Sequence, residues 1–202
     1  MPYGYLGQNT PNQTVSNSGV FSISDVASLE KQGKFGGSLE LIEEQTISSG
    51  STLDFTNLKN YDVLFAQGIN IETSSSSTPI SIRVSNDGGS TFEATNYQYA
   101  LQYGSPTGSF GEAKSTSTTS IPYFTSDSAN KNRGAYCYMY NLQDSAKYSF
   151  FTYQSMEENN MMFGGGVYAV AETINAIRFL TTNSNAWTGT IKLYGVKQLW
   201  VL

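Results

Sequence analysis

The sequence predicts an all-β protein: a jelly-roll-like antiparallel β-sandwich with an extended N-terminal arm and one short helix. Three observations lead there. Short runs of strand formers, broken by Gly, Ser, Asn and Pro clusters, recur from residue 38 to the C-terminus. A single stretch carries a helical pattern. No repeat of 40–50 residues appears, which disfavours a propeller. The chain accordingly divides into residues 1–37, an arm and helix for anchoring or assembly, and residues 38–202, the sandwich.

The elements follow in order. Residues 1–20 hold Pro2, Gly4, Gly7 and Pro11 among many Asn and Gln, with no period of 2 or 3.6. Such a segment orders only by lying on a surface, either another protein or its own domain. Tyr3, Tyr5, Leu6 and Phe21 are the apolar side chains an anchor here would use, with Val26 and Leu29 from the helix. That helix is "SDVASLEKQG", residues 24–33. Ser24 suits its N-cap, Asp25 its positive end, and Gly33 its stop. "GKFGG" then reads as a hinge. Strands follow in "SLELIEEQT", "TLDFTNL", "YDVLFAQGINI", "PISIRVS", "STFEATNYQYALQYG", "AYCYMYNL", "KYSFFTYQSM", "GVYAVAETINAIRFLTT" and "GTIKLYGVKQLWVL". The cleanest alternation sets Ile80, Ile82 and Val84 on one face and Ser81, Arg83 and Ser85 on the other. Nine or ten strands result.

Composition narrows the function classes. The 202 residues suit one domain with a real core. Only 13% are charged, so Ser, Thr, Asn, Gln and Tyr must cover the surface, a pattern of extracellular and virion proteins. The net charge is -5 and no basic run occurs, which argues against nucleic acid as a partner. The start "MPYGYLGQNTPNQ" lacks the pattern of a secretory leader, and no apolar run reaches the roughly 20 residues that span a bilayer. The expectation is synthesis in a cytoplasm and no membrane partner. Cys137 is the one cysteine; it has no internal disulfide partner and is expected to be buried.

With no histidine, Ser-His-Asp and Cys-His sites are excluded, as is a structural zinc site. The adjacent carboxylates Glu43–Glu44 and Glu157–Glu158 would point to opposite faces of a strand, so both are expected on solvated edges. Arg83, Arg133 and Arg178 are too scattered to suggest an anion site. No catalytic, cofactor-binding or metal-binding residue is therefore expected. Residues 85–92, "SNDGGSTF", resemble an Asp-box, a motif of sialidase propellers, but it occurs once. Asn86 and Asp87 offer hard oxygens without the further ligands of a calcium loop. A turn explains the stretch: Asp87-Gly88 is a turn pair, Gly89 can take positive φ, and the Asp87 carboxylate can accept from backbone N–H groups.

Fourteen tyrosines are the other feature. Tyr97, Tyr99 and Tyr103 share one strand face, and so do Tyr136, Tyr138 and Tyr140. Three uses suit such rows: core, subunit interface and contact with a glycan.

The runs "GVFSISDVASLEKQGKFGGSLELIEEQTISS", "DFTNL", "YDVLF", "IRVSNDGGSTF" and "GTIKLYGV", from Gly19 to Val196, resemble small virion-associated β-sandwich proteins of tailed bacteriophages, particularly marine ones infecting cyanobacteria. The resemblance implies a structural virion protein, made in the host cytoplasm and placed on the particle as capsid decoration or tail fibre. Its partners would be other capsid or tail proteins and its own copies, with a trimer favoured. The alternative it implies is a receptor- or glycan-binding module at the tail tip, with a host-surface glycan as partner. It brings no catalytic residues.

Overall fold

The computed structural model describes residues 39–196, apart from breaks at 57, 59–60, 76–77, 109, 126–131 and 158–159, together with Ile23, Ser24 and Ala27. Those three are helical. The rest of the expected helix and the anchor candidates Tyr3, Tyr5, Leu6, Phe21, Val26 and Leu29 lie outside the described residues. The chain forms two units, Met1–Glu40 with Lys197–Leu202, and Leu41–Val196.

Among the described residues, eleven strands make two antiparallel sheets. They are β1 (Leu39–Gly50), β2 (Thr52–Phe55), β3 (Val63–Thr73), β4 (Ile80–Ser85), β5 (Tyr97–Gly104), β6 (Phe110–Thr118), β7 (Arg133–Tyr140), β8 (Ser149–Met156), β9 (Met161–Tyr168), β10 (Ala176–Thr181) and β11 (Trp187–Val196). The larger sheet runs β1-β11-β3-β7-β8-β9-β5-β6, and the smaller β2-β10-β4. Strands β1 to β4 alternate between the sheets, and β10 and β11 do so again. This interleaving is the winding of a jelly roll. Ile121 completes it. Its backbone exchanges hydrogen bonds of 2.8 and 2.9 Å with Ile82, beside β4, where a fourth strand of the smaller sheet belongs. Two inserted hairpins, β5–β6 and β8–β9, widen the larger sheet beyond β7.

Alternation places the core. Leu64 and Ala66 of β3, Cys137 and Met139 of β7, Phe151 and Tyr153 of β8, and Ile191 and Leu193 of β11 are buried on one face of the larger sheet. Phe55, Ile82, Val84 and Phe179 face them from the smaller sheet within one apolar cluster. Phe179 is its hub, edge-on to Phe55 at 6.0 Å and tilted against Phe124 at 4.9 Å. Strand β4 is less one-sided than its alternation suggests: Ser81 and Ser85 are buried as well.

Several expectations are corrected. Residues 90–96 are irregular, so β5 begins only at Tyr97. "GVYAVAETINAIRFLTT" is two strands, split by an irregular segment at 169–175. "FGEAKSTST" was not among the expected strands, yet it forms β6. Glu157 is not on a solvated edge. Its side chain is 1% exposed and sits 3.6 Å from the Arg133 guanidinium, which is equally buried and also donates to Thr73 Oγ1 at 2.8 Å.

Candidate functional site

The outer face of the widened sheet is the candidate site, and its chemistry follows from register. Phe65, Tyr138, Thr152, Gly165, Ala100 and Lys114 form one row across β3, β7, β8, β9, β5 and β6. The next row is Gln67, Tyr136, Gln154, Phe163, Gln102 and Glu112. Partners across a sheet share a face, so all these side chains point away from the core.

Tyr136, Tyr138 and Tyr140 stand in file on this face, as the alternation predicts. Tyr138 stacks on Tyr140 at 6.4 Å and leans on Phe65 at 4.8 Å, and Phe65 in turn meets Tyr194 at 5.9 Å. The Tyr136 hydroxyl donates to Gln154 Oε1 at 2.6 Å. Tyr97, Tyr99 and Tyr103 go the other way. Tyr97 is fully buried, and its hydroxyl donates to the Glu93 carbonyl at 3.1 Å while accepting from the Val84 N–H at 3.0 Å. Burial pushes its phenol well above the ordinary tyrosine range. Tyr99 and Tyr103 are half-buried against the same core. The second tyrosine row thus lies outside, and the first inside.

Between the tyrosine file and the β6 edge the outer face is hollowed. A trough of about 770 Å³ is floored by Ala100 and Gly165 and flanked by Phe150 and Lys114. Two further hollows, about 300 and 450 Å³, continue it past Phe163 to Gln102, Glu112 and Phe110. Its floor is bare for a steric reason. A Cβ on Gly165 would lie 2.7 Å from the Phe151 carbonyl oxygen, so a side chain there would push the ladder apart, and on the core side a Cβ on Gly164 would lie 2.6 Å from the Ala100 carbonyl oxygen. Sequence reasoning missed this trough. "FGGG" inside β9 was its signal.

Three exposed apolar side chains gather at one end of this face. Met156 and Met161 are opposite each other, 57% and 41% exposed, and Phe110 is 85% exposed.

The "SNDGGSTF" corner is structural. The Ser85 hydroxyl donates to Asp87 Oδ1 at 2.7 Å, and the Thr91 N–H reaches the same oxygen at 2.9 Å. The Thr91 hydroxyl donates to Oδ2 at 2.6 Å. Both carboxylate oxygens are therefore occupied by the loop itself. Gly88 and Gly89 take φ of 78° and 89°, and the Gly88 N–H is held by Asn175 Oδ1 at 2.7 Å. Phe92 lies under Arg178, whose guanidinium carbon is 4.0 Å from the ring centroid.

The hydrogen bonds from Thr91 hold the Asp87 carboxyl down from 3.8 to about 2. A depressed carboxyl stabilises the fold above its unfolded value, and the contribution fades as pH falls from about 3.8 to about 2. Asp87→Ala is expected to lower the denaturation midpoint at pH 7, with the gap to the parent closing across that acid window. Midpoints measured at intervals from pH 7 to pH 2 check it; a gap independent of pH would refute the assignment.

Other charged groups are also engaged within the fold. Arg178 forms a two-bonded pair with Asp54 at 2.6 and 2.7 Å, and Arg83 donates to the Thr119 carbonyl at 2.9 Å. Glu172 accepts from Tyr168 and Asn86 at 2.7 and 2.8 Å. Burial pushes the Cys137 thiol up, which keeps it protonated and unreactive. Among the described residues no group of three His, Cys, Asp or Glu side chains could hold a metal ion, and no helix is long and apolar enough to cross a membrane.

No family model matches this chain, and no curated protein or solved structure is similar to it.

Proposed function

We propose that this chain is a structural virion protein of a tailed bacteriophage, anchored through residues 1–37 and displaying the jelly roll on the particle surface as capsid decoration or as a tail or fibre component. The observation that carries the reading is the outer face of the widened sheet. It presents Tyr136, Met156 and Met161 to solvent, and no other described strand covers it. Aromatic and Met side chains in such a cluster are the make-up of a protein contact. Jelly rolls build capsids and lectins alike, so the fold is compatible with the reading without deciding it. The runs between Gly19 and Val196 that resemble phage virion proteins support it further, as does a surface poor in charge. Copies meet through the Met156–Met161 end of the face, as a trimer.

The second reading, a receptor- or glycan-binding module at a tail tip, is favoured by one observation, the trough along β5. Incorporation decides the first reading. The full chain should be recovered on purified particles, and a chain lacking residues 1–37 should remain folded but stay in the unassembled fraction.

A further inference from the structure

We propose that the trough along β5 binds a linear, uncharged oligosaccharide. The inference rests on the display half of the reading above and names what the displayed face would hold. Four observations carry it.

The first is shape. The hollows run along β5 from Gln98 to Gln102, about 13 Å at about 3.3 Å per residue. They are shallow and follow one another along the strand, which suits a chain and not a compact ligand. Ala100 and Gly165 keep the floor flat, and the Phe151 carbonyl forbids a side chain at Gly165.

The second is the aromatic wall. Phe150 and Phe163 are 45% and 42% exposed. They are four ladder positions apart on neighbouring strands, since Phe150 lies opposite Val167 and Gln154 opposite Phe163. A sugar ring has a flat apolar face that packs on such a ring, and two rings about 13 Å apart along a trough suit two non-adjacent sugars of one chain.

The third is the polar supply. Gln98 and Gln102 project from the outer face on either side of Ala100, and neither side-chain amide has a hydrogen-bond partner among the described residues. Each offers two donors and an acceptor, the complement of adjacent sugar hydroxyls. On the opposite rim Lys114 and Glu112 form an ion pair at 2.6 Å, so the rim carries no net charge and matches an uncharged chain.

The fourth concerns the competing occupant, an extended peptide. Strands β8, β9 and β5 are each paired on both sides. The floor of the trough therefore has no free backbone for a peptide to add to as a strand; the unpaired edge of β6 lies on the side of that strand away from the floor, so recognition on the floor must come from side chains.

The test uses the full chain, labelled with ¹⁵N and titrated with linear gluco-, manno- and galacto-oligosaccharides and, separately, with a pool of extended neutral peptides. At least one sugar should give saturable shifts at the Gln98, Ala100, Gln102 and Gly165 amides. Phe150→Ala and Phe163→Ala should each keep the parent spectrum elsewhere and bind about tenfold more weakly, the loss expected of one stacking ring. Gln98→Ala with Gln102→Ala supplies a second, non-aromatic variant with the same expectation. Silence across all three sugar series, shifts confined to another face, or equal affinity in every variant would overturn the inference. So would peptides that occupy the trough where sugars do not. A negative result here leaves incorporation into particles untouched, whereas failure to incorporate leaves sugar binding measurable on the isolated chain.

Discussion

Replacing Arg133 with Met is expected to cost about 3–5 kcal/mol of folding stability. The guanidinium and the Glu157 carboxylate are both buried, 3.6 Å apart, and Arg133 also donates to Thr73 Oγ1. Removing the cation takes a positive charge from beside a buried carboxylate that keeps the Asn160 amide at 2.9 Å, and the lost attraction at a site water cannot reach sets the size of the loss. The pair itself gains little over an apolar replacement, because taking two charges out of water offsets most of their attraction. Arg133→Met with Glu157→Met should therefore recover most of the loss, leaving a double variant near the parent. Urea denaturation of the three proteins separates these outcomes. A single variant within about 1 kcal/mol of the parent would mean that Glu157 finds water in the folded protein.

Phe179→Ala is expected to cost a similar amount, about 3–5 kcal/mol, through the cavity it leaves. Phe179 lies in β10, the central strand of the smaller sheet, and its ring touches Phe55 from a neighbouring strand and Phe124 from the segment before β7. These two partners are set by two different parts of the backbone, so collapse into the gap requires both to shift. Phe179→Leu should lose about half as much or less, since most of the volume stays. Denaturant midpoints with an unchanged slope would confirm that only stability has moved. Equal midpoints for Phe179→Ala and the parent would place the centre of the core elsewhere.

Both predictions concern positions that the sequence alone left unmarked, and the reason is physical. Alternation reports which face of a strand is apolar, so the sandwich, the Ile80–Val84 face and the Tyr136–Tyr140 file were legible. It does not report which face of a widened sheet the core lies behind. Tyr97, Tyr99 and Tyr103 alternate as cleanly as the second row, yet they face inward. Strand β6 was invisible because an edge strand with both faces partly wet needs no apolar period; its Ser, Thr, Lys and Glu read as loop. Glu157 was taken as exposed because its buried partner, Arg133, is 24 residues away in sequence. The trough was hidden for a related reason. Glycines in a strand read as weakness, and only the tertiary register shows that Gly164 and Gly165 lie against neighbouring carbonyls. The Asp87 corner was legible, since its partners lie within four residues of it and local chemistry is what a sequence shows best.

The proposed role on a virion stands or falls by occupancy on particles. Purified particles carrying the full chain, labelled with an antibody against the sandwich and imaged by electron microscopy, are expected to show regular label at their surface. Label spread over the head would mean decoration, and label at one vertex would mean a tail component. Particles assembled with the chain lacking residues 1–37 should show none. Unlabelled particles in both cases, with all of the protein in the soluble fraction, would contradict the structural role outright.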